Sequence, residues 1–174
     1  KGTEWGSLHP CCLSGSARFF KPAYSIFLIN KWLPSIKGAV TTLTKGGSFA
    51  DIGCGFGHST TMIAEQFSQS SITGIDPHEQ SIHEARKIAE QKKLNNLTYE
   101  IASAENYSGE YDIISFFDCL HDMGDPVAAV SYAKTKLKKG GALMIIEPFA
   151  NDEVSQNFNI IGQMYYSFST IACV

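Results

Sequence analysis

The chain has 174 residues and a mass of 19.0 kDa, enough for one domain with a hydrophobic core but too little for two ordinary domains. Hydrophobic residues make up 44% and charged residues 18%, which excludes a disordered chain dominated by one charge. The net charge of −3 is unevenly distributed: residues 1–47 hold six basic side chains and one acid, and residues 48–174 hold eight basic side chains and sixteen acids. An acidic main body argues against a nucleic-acid partner, whose phosphates it would repel.

The same composition bears on membranes and on compartment. No apolar run reaches the ~20 residues that a membrane-spanning helix needs, so no membrane partner is expected. Lys1 stands where a start methionine would be and no secretory signal follows it, which predicts a piece of a longer protein. The five cysteines are odd in number and lack a metal-ligand spacing. They indicate reduced thiols in a cytoplasmic protein, and no metal site is predicted.

The predicted elements begin with helix and continue as an alternation of strands and helices. In residues 17–44, aromatic and aliphatic side chains recur at helical spacing, interrupted by Pro22 and Pro34, so residues 1–47 are predicted to form a helical lead-in. Short β-rich apolar runs predict strands at 48–53, 71–76, 97–102, 111–117 and 142–147. Helices are predicted between them at 59–67, 79–94 and 125–137, the last with Asp125 as its cap and Gly140 and Gly141 after its end.

Strands that alternate with helices predict a parallel sheet covered by helices on both faces. The expected fold class is α/β, a Rossmann-like doubly wound sheet with five parallel strands. Residues 48–150 are predicted to form this core, and residues 151–174 a mostly apolar C-terminal helix.

The clearest site signal is ADIGCGFGHST at residues 50–60, where a strand ends, three glycines follow and a helix begins. Glycine permits the close backbone approach that a ligand needs, and a helix amino end offers free N–H groups. The dinucleotide fingerprint requires glycine where His58 stands, and Asp51 would repel a pyrophosphate, so the pattern favours a cationic ligand. Asp76 ends the second strand 21 residues after Gly55, the offset at which an acid binds ribose hydroxyls.

With these residues the chain resembles the class I S-adenosylmethionine-dependent methyltransferases over residues 48–150. The resemblance runs in order through DIGCGFG, GIDPH, IASAENY, YDIISFFDCLHDMGDP and LKKGGALMIIEP. It implies S-adenosylmethionine as cofactor, S-adenosylhomocysteine as product and a small-molecule acceptor. The cofactor-binding residues that it implies are Asp51, Gly53, Cys54, Gly55, Gly57, Asp76, Pro77, His78, Ser103, Ala104, Glu105, Phe117 and Asp118.

The resemblance also implies roles for individual residues and the number of strands in a complete family member. Asp51 would orient the glycine loop near the cofactor's amino group, Asp76 would bind the ribose, and Pro77 or His78 would lie near the adenine. Residues 103–105 would form the adenine-edge loop. Family members have seven strands, so the chain is expected to lack the last two and to carry a truncated C-terminal helix.

His121 is the candidate general base, because it follows the fourth strand at the edge of the sheet where ligands bind. The segment LHD is similar to the His-Asp of small-molecule O-methyltransferases, whose His deprotonates the acceptor hydroxyl. Those enzymes orient the His with a Glu at the end of the fifth strand, and Glu147 matches that position. The alternative is that His121 only caps or packs its loop.

The main functional hypothesis is O-methylation of a small, fairly apolar acceptor. One alternative is a regulatory or inactive module that keeps the fold and the cofactor, and another is a nicotinamide-dependent oxidoreductase, which His58 opposes. An aromatic set near the C-terminus forms either an acceptor pocket or a helix-packing surface: Phe149, Phe158, Tyr165, Tyr166 and Phe168.

A homodimer is expected from the predicted end of the sheet. Without further strands, the strand at 142–147 becomes an edge, and its apolar side chains carry no charge to discourage pairing with another chain. The terminal helix adds apolar surface of the kind that marks an association site.

Overall fold

The structure is a computed structural model that describes residues 5–173, and within that range it contains five β-strands and seven α-helices. The strands are β1 (Ser48–Ile52), β2 (Ser71–Asp76), β3 (Leu97–Ile101), β4 (Tyr111–Phe117) and β5 (Leu137–Ile146). The helices are α1 (Pro10–Ala23), α2 (Leu33–Ser35), α3 (Ala39–Thr44), α4 (His58–Gln66), α5 (Glu79–Gln91), α6 (Pro126–Lys136) and α7 (Ile160–Ala172). A π-helix (Tyr24–Trp32) joins α1 to α2, and one-turn 3-10 helices lie at Trp5–Ser7, Leu120–Asp122 and Val154–Asn157.

All five described strands are parallel and lie in the order β3-β2-β1-β4-β5. The chain moves outward from β1 to β3 and then returns to the other side of β1 as β4. This reversal leaves a crevice between β1 and β4 at their carboxyl ends, where open α/β sheets bind ligands. The register sets Asp51 of β1 beside Gly74 of β2 and Ser115 of β4.

Each face of the sheet has its own hydrophobic core. On one face, buried Phe49 and Ile72 pack with Ile63 of α4, Ile82 of α5 and Leu28 of the π-helix. On the other face, the buried set consists of Ala50, Ile52, Ile75, Tyr107, Ile114, Phe116, Ala129 and Ala133. Helices on both faces confirm the predicted α/β doubly wound sheet with five parallel strands.

The predicted interruption at Pro22 is wrong, because Pro22 lies inside α1 and the helix runs on as the π-helix. Proline removes one N–H donor from the helix, and the wider π-helical turn follows directly. Tyr24 and Leu28 of this segment are buried against the sheet domain. Among the described helices, none combines the length and the apolar character needed to cross a bilayer.

The start of the fifth strand also differs from the prediction. The sequence pattern places a helix to Leu137 and a strand from residue 142, whereas β5 begins at Leu137, which pairs with Tyr111. The register shifts between Tyr111 and Ile113, and Gly140 adopts a φ of 83° within the irregular stretch. A glycine pair that looks like a helix end is therefore a bulge in an edge strand.

Candidate active site

A cavity of about 390 Å³ opens at the carboxyl ends of β1, β2 and β4. Ten of the thirteen predicted cofactor-binding residues line it: Gly53, Cys54, Gly55, Asp76, Pro77, Ser103, Ala104, Glu105, Phe117 and Asp118. Asp51, Gly57 and His78 are not part of the lining. The sheet topology thus brings together loops that lie up to about 65 residues apart in the chain, as expected for the switch point of such a sheet.

The glycine loop is held by backbone geometry and by Asp76. Gly53, Gly55 and Gly57 have φ angles of 71°, 52° and 71°, a region that other residues rarely adopt. The N–H of Gly55 donates to Oδ2 of Asp76 at 2.9 Å. A side chain at Gly53 would meet Sγ of Cys119 at 2.7 Å, so this glycine also permits close packing against the loop after β4.

Asp51 lies beneath the glycine loop rather than in the cavity. Its side chain accepts hydrogen bonds from Ser59 Oγ at 2.5 Å and from Ser115 Oγ at 3.0 Å, and so connects β1 to α4 and β4. Burial raises the pKa of this carboxyl to about 7, although both serine hydroxyls favour the ionised form. A buried carboxylate in this position favours a cation in the cavity above it.

Asp76 stands at the end of β2 with both carboxylate oxygens engaged. Oδ1 accepts from the N–H of His78 at 2.8 Å, while Oδ2 holds Gly55. Burial raises the pKa of Asp76, and the two backbone donors act in the opposite direction. The His78 ring bonds Ser81 Oγ at 2.8 Å, and His78 does not line the cavity.

Asp118 follows β4 directly and lines the cavity in a strained conformation. It is one of two non-glycine residues with positive φ among those described, at 52°, and such strain is typical of ligand-binding sites. The hydroxyl of Tyr24 donates to Oδ2 of Asp118 at 2.9 Å. Burial raises the pKa of Asp118 to about 6, with a smaller contribution in the same direction from Glu147, while the hydrogen bond from Tyr24 acts in the opposite direction.

His121 and Glu147 are in contact, as the resemblance to O-methyltransferases implied. Nδ1 of His121 bonds Oε2 of Glu147, while Oε1 of Glu147 accepts from the N–H of Leu120 at 2.8 Å. The carboxylate therefore fixes both the imidazole and the turn that carries it. The hydrogen bond to Glu147 raises the pKa of His121 above its ordinary value. Glu147 holds Nδ1, whereas Nε2 has only the longer contacts to Oδ1 of Asp122 at 3.5 Å and Sγ of Cys173 at 3.7 Å, so Nε2 is the candidate nitrogen for proton exchange.

A second cavity of about 220 Å³ lies against the first and contains the His121–Glu147 pair. The two cavities share lining residues at their boundary: Trp5, Ser16, Phe20, Asp118 and Asp122. Tyr165, Tyr166 and Phe168 of α7 line the second cavity, whereas Phe149 and Phe158 are 80% and 79% exposed. Of the five C-terminal aromatic residues, three therefore line a cavity and two lie at the surface.

Sequence reasoning did not identify the N-terminal residues that close the first cavity. They come from α1 and the segments on either side of it: Trp5, Leu13, Ser16, Ala17, Phe20 and Tyr24. In the sequence, these residues show only the helical spacing of apolar side chains. That spacing is equally typical of a packed core. Cys119 and Met123 of the loop after β4 also line this cavity without having been predicted.

Several known proteins are similar to this chain in sequence. A family model described as a methyltransferase domain matches residues 43–171. The chain is 28% identical over 153 residues to the ubiquinone biosynthesis O-methyltransferase of Acinetobacter baylyi, which covers 84% of the chain and 60% of that protein. The chain thus spans about 60% of the length of the curated relatives it matches first.

Solved structures share its fold. An O-methyltransferase family protein from Burkholderia thailandensis superposes with a TM-score of 0.71 at 16% identity, over 93% of this chain and 47% of that one. The magnesium protoporphyrin IX methyltransferase of Synechocystis PCC 6803, solved with bound SAM, gives a TM-score of 0.59 at 20% identity, over 72% and 59% of the two chains. At these identities the likeness is one of fold.

Proposed function

Because the chain belongs to the methyltransferase-domain family, we propose that it transfers a methyl group from S-adenosylmethionine to an oxygen of a small, fairly apolar acceptor. The observation that carries this proposal is the His121–Glu147 pair, located in a cavity that adjoins the glycine-loop cavity. Relatives named as O-methyltransferases of ubiquinone biosynthesis and of malonyl-[acyl-carrier protein] support oxygen as the receiving atom.

The chemistry of the first cavity fits this cofactor. Asp76 offers a carboxylate to hydroxyl groups, Asp118 adds negative charge beside Phe117, and Asp51 adds more beneath the loop. Ser103, Ala104 and Glu105 would lie along the adenine edge. When bound, S-adenosylmethionine supplies a methyl group activated by a positively charged sulfur, and S-adenosylhomocysteine is the product.

His121 would act as the base for the acceptor hydroxyl. With Nδ1 bonded to Glu147, the neutral ring presents the Nε2 lone pair to the second cavity and takes up the hydroxyl proton there. Glu147 is a positioning residue, because it orients the imidazole and stabilises the imidazolium that forms. The deprotonated oxygen is then a stronger nucleophile toward the methyl group.

The second cavity would hold the acceptor. Its walls include the rings of Phe20, Tyr165 and Phe168, which favour an apolar or planar molecule. Its volume of about 220 Å³ restricts the acceptor, or the part that enters, to a small group. The shared boundary near Asp118 brings the two cavities together without an intervening element.

Asp76→Ala tests the cofactor assignment directly. The change removes a charge-assisted acceptor worth roughly 1.5–3 kcal/mol, so S-adenosylhomocysteine affinity should fall ~10-fold or more in calorimetry. Asp152→Ala removes an exposed carboxylate outside the cavity and serves as the matched control. Unchanged binding in Asp76→Ala, in a variant whose circular dichroism is native, would contradict the assignment.

The same calorimetry separates the competing functions. Binding of NAD in place of S-adenosylhomocysteine would support an oxidoreductase and contradict a methyltransferase. Cofactor binding without methyl transfer to a panel of small hydroxylated acceptors would support the alternative, a regulatory or inactive module. NAD binding would contradict the role proposed for Asp76 and the glycine loop. Cofactor binding without methyl transfer would contradict the role proposed for His121.

We also propose that the chain forms a homodimer along β5 and α7. In the described sheet β5 is an edge strand, with Ile145 43% exposed, and α7 exposes Ile160 at 82% and Ile161 at 58%. Light scattering across a dilution series should give twice the chain mass of 19.0 kDa. Ile145→Lys, which places a charge on the edge, should shift the equilibrium to monomer. A wild-type monomer at every concentration would contradict the proposal.

The cytoplasm remains the proposed location. Cys11, Cys12, Cys54, Cys119 and Cys173 are all free, and a reducing compartment maintains such thiols.

A further inference from the structure

Three side chains that commonly bind metals, the proposed base among them, converge in the second cavity. Nε2 of His121 is 3.5 Å from Oδ1 of Asp122 and 3.7 Å from Sγ of Cys173. The three ligand atoms lie within 4.8 Å of one another, and no second cluster of this kind occurs in residues 5–173. We propose that His121, Asp122 and Cys173 form a binding site for Zn²⁺.

The spacing of these atoms matches zinc coordination. With Zn–N bonds of ~2.0–2.1 Å and Zn–S bonds of ~2.3 Å, tetrahedral geometry sets neighbouring ligand atoms about 3.3–3.6 Å apart. The two separations from Nε2 of His121, 3.5 and 3.7 Å, therefore need only a small contraction around the ion, and Oδ1 of Asp122 lies within 4.8 Å of Sγ of Cys173. Imidazole, thiolate and carboxylate together are a donor set that zinc accepts and that magnesium or calcium does not favour.

The ligands are held in place by contacts outside the cluster. Glu147 bonds Nδ1 of His121 and leaves Nε2 facing the other two ligands, the carboxylate–histidine arrangement that surrounds many zinc ions. Cys173 follows α7, which packs on α1 through the stacked rings of Phe19 and Phe168, 5.4 Å apart. The loop after β4 and the residue that follows α7 thus place their metal-binding atoms close together.

Three protein ligands leave one tetrahedral position open, and all three line the second cavity. Zinc at this point would occupy the Nε2 lone pair that the base requires. The thiol of Cys173 would release its proton to solvent as the Zn–S bond forms. Bound zinc would therefore inhibit methyl transfer, a consequence that rests on the proposed function, whereas zinc binding itself does not.

Metal titration of the 174-residue chain tests the site without an activity assay. Calorimetry with ZnCl₂ should give one ion per chain, and Co²⁺ as a spectroscopic substitute should show a thiolate-to-cobalt charge-transfer band. Cys173→Ser and His121→Gln should each weaken binding by more than ~100-fold, since each removes a ligand, and Glu147→Gln by ~10–100-fold as a residue that orients a ligand. The triple variant Cys11→Ser, Cys12→Ser, His83→Gln is the control and should bind zinc as the wild type does.

The outcomes separate the metal site from the methyl-transfer proposal. Absence of the thiolate band in the wild-type protein would overturn the site without recourse to any variant. Zinc binding that survives Cys173→Ser would overturn it as well. Zinc binding that is lost in His121→Gln while methyl transfer in that variant is unchanged would leave the metal site standing and remove the base. Normal catalysis that is insensitive to Zn²⁺ would overturn the inhibitory consequence.

Discussion

His121→Gln should lower the turnover number by ~10²-fold or more and leave cofactor affinity nearly unchanged. Glutamine cannot accept the hydroxyl proton, and position 121 lines the second cavity but not the first, so the loss is confined to the chemical step. The measurement is steady-state turnover with a methylated product, paired with calorimetry of S-adenosylhomocysteine. His83→Gln, on the exposed side of α5, is the matched control.

The pH dependence of the rate provides a second readout for the same residue. The base must be neutral, and the bond to Glu147 raises the pKa of His121, so kcat/KM should rise with pH through a titration above the ordinary histidine value. Glu147→Gln removes the largest cause of the raised pKa of His121, while Asp122 and Asp118 remain, and should move this titration to lower pH. Equal losses of turnover and cofactor affinity in His121→Gln would indicate a structural histidine instead.

Gly57→Ala should destabilise the fold by about 2–5 kcal/mol, the sum of a left-handed backbone strain of about 1–2 kcal/mol and an overpacking cost of about 1–3 kcal/mol. A Cβ on Gly57 would meet the Tyr99 hydroxyl at 2.2 Å and the Ala85 side chain at 3.0 Å. Tyr99 is buried and bonded to Thr60 at 3.0 Å, so it has little room to move away.

Gly55→Ala is the control that isolates the packing cost. Gly55 has a similar positive φ, but a Cβ there meets nothing within 4 Å. Urea unfolding of the two variants should therefore differ by about 1–3 kcal/mol, with Gly57→Ala the less stable. Equal free energies of unfolding would show that Tyr99 moves aside at little cost. Backbone strain alone would then require glycine at position 57.

The fold class and much of the glycine loop could be predicted from the amino-acid sequence. Alternation of strands and helices predicts a doubly wound sheet because a parallel crossover allows few other arrangements. The spacing of Gly53, Gly55 and Asp76 predicts contacts within one strand–loop–helix unit and its neighbour, and the Gly55–Asp76 hydrogen bond at 2.9 Å is such a contact. The resemblance to O-methyltransferases also implied the partner of His121, Glu147, which follows the strand that pairs with β4 and contacts the imidazole.

Local patterns were least reliable where tertiary contacts override propensity. Pro22 reads as a helix break, yet burial of Tyr24 and Leu28 against the sheet holds the helix together. Gly140 reads as a helix end, yet the chain around it is drawn into pairing with β4. A glycine costs a helix about 1 kcal/mol and a proline about 3 kcal/mol relative to alanine. The burial of several large side chains stabilises the fold by more than this.

Which distant residues come together at the candidate site is evident only from the folded chain. Tyr24 bonds Asp118 across 94 positions, and Cys173 meets His121 across 52, with no spacing pattern that marks either pair. Phe20 and Phe168 meet because α7 packs on α1 through aromatic side chains, and neither helix carries a signal for its partner. Periodicity in a sequence shows which face of a helix is apolar, but the free energy of burial is non-directional, so only the folded chain determines what that face covers.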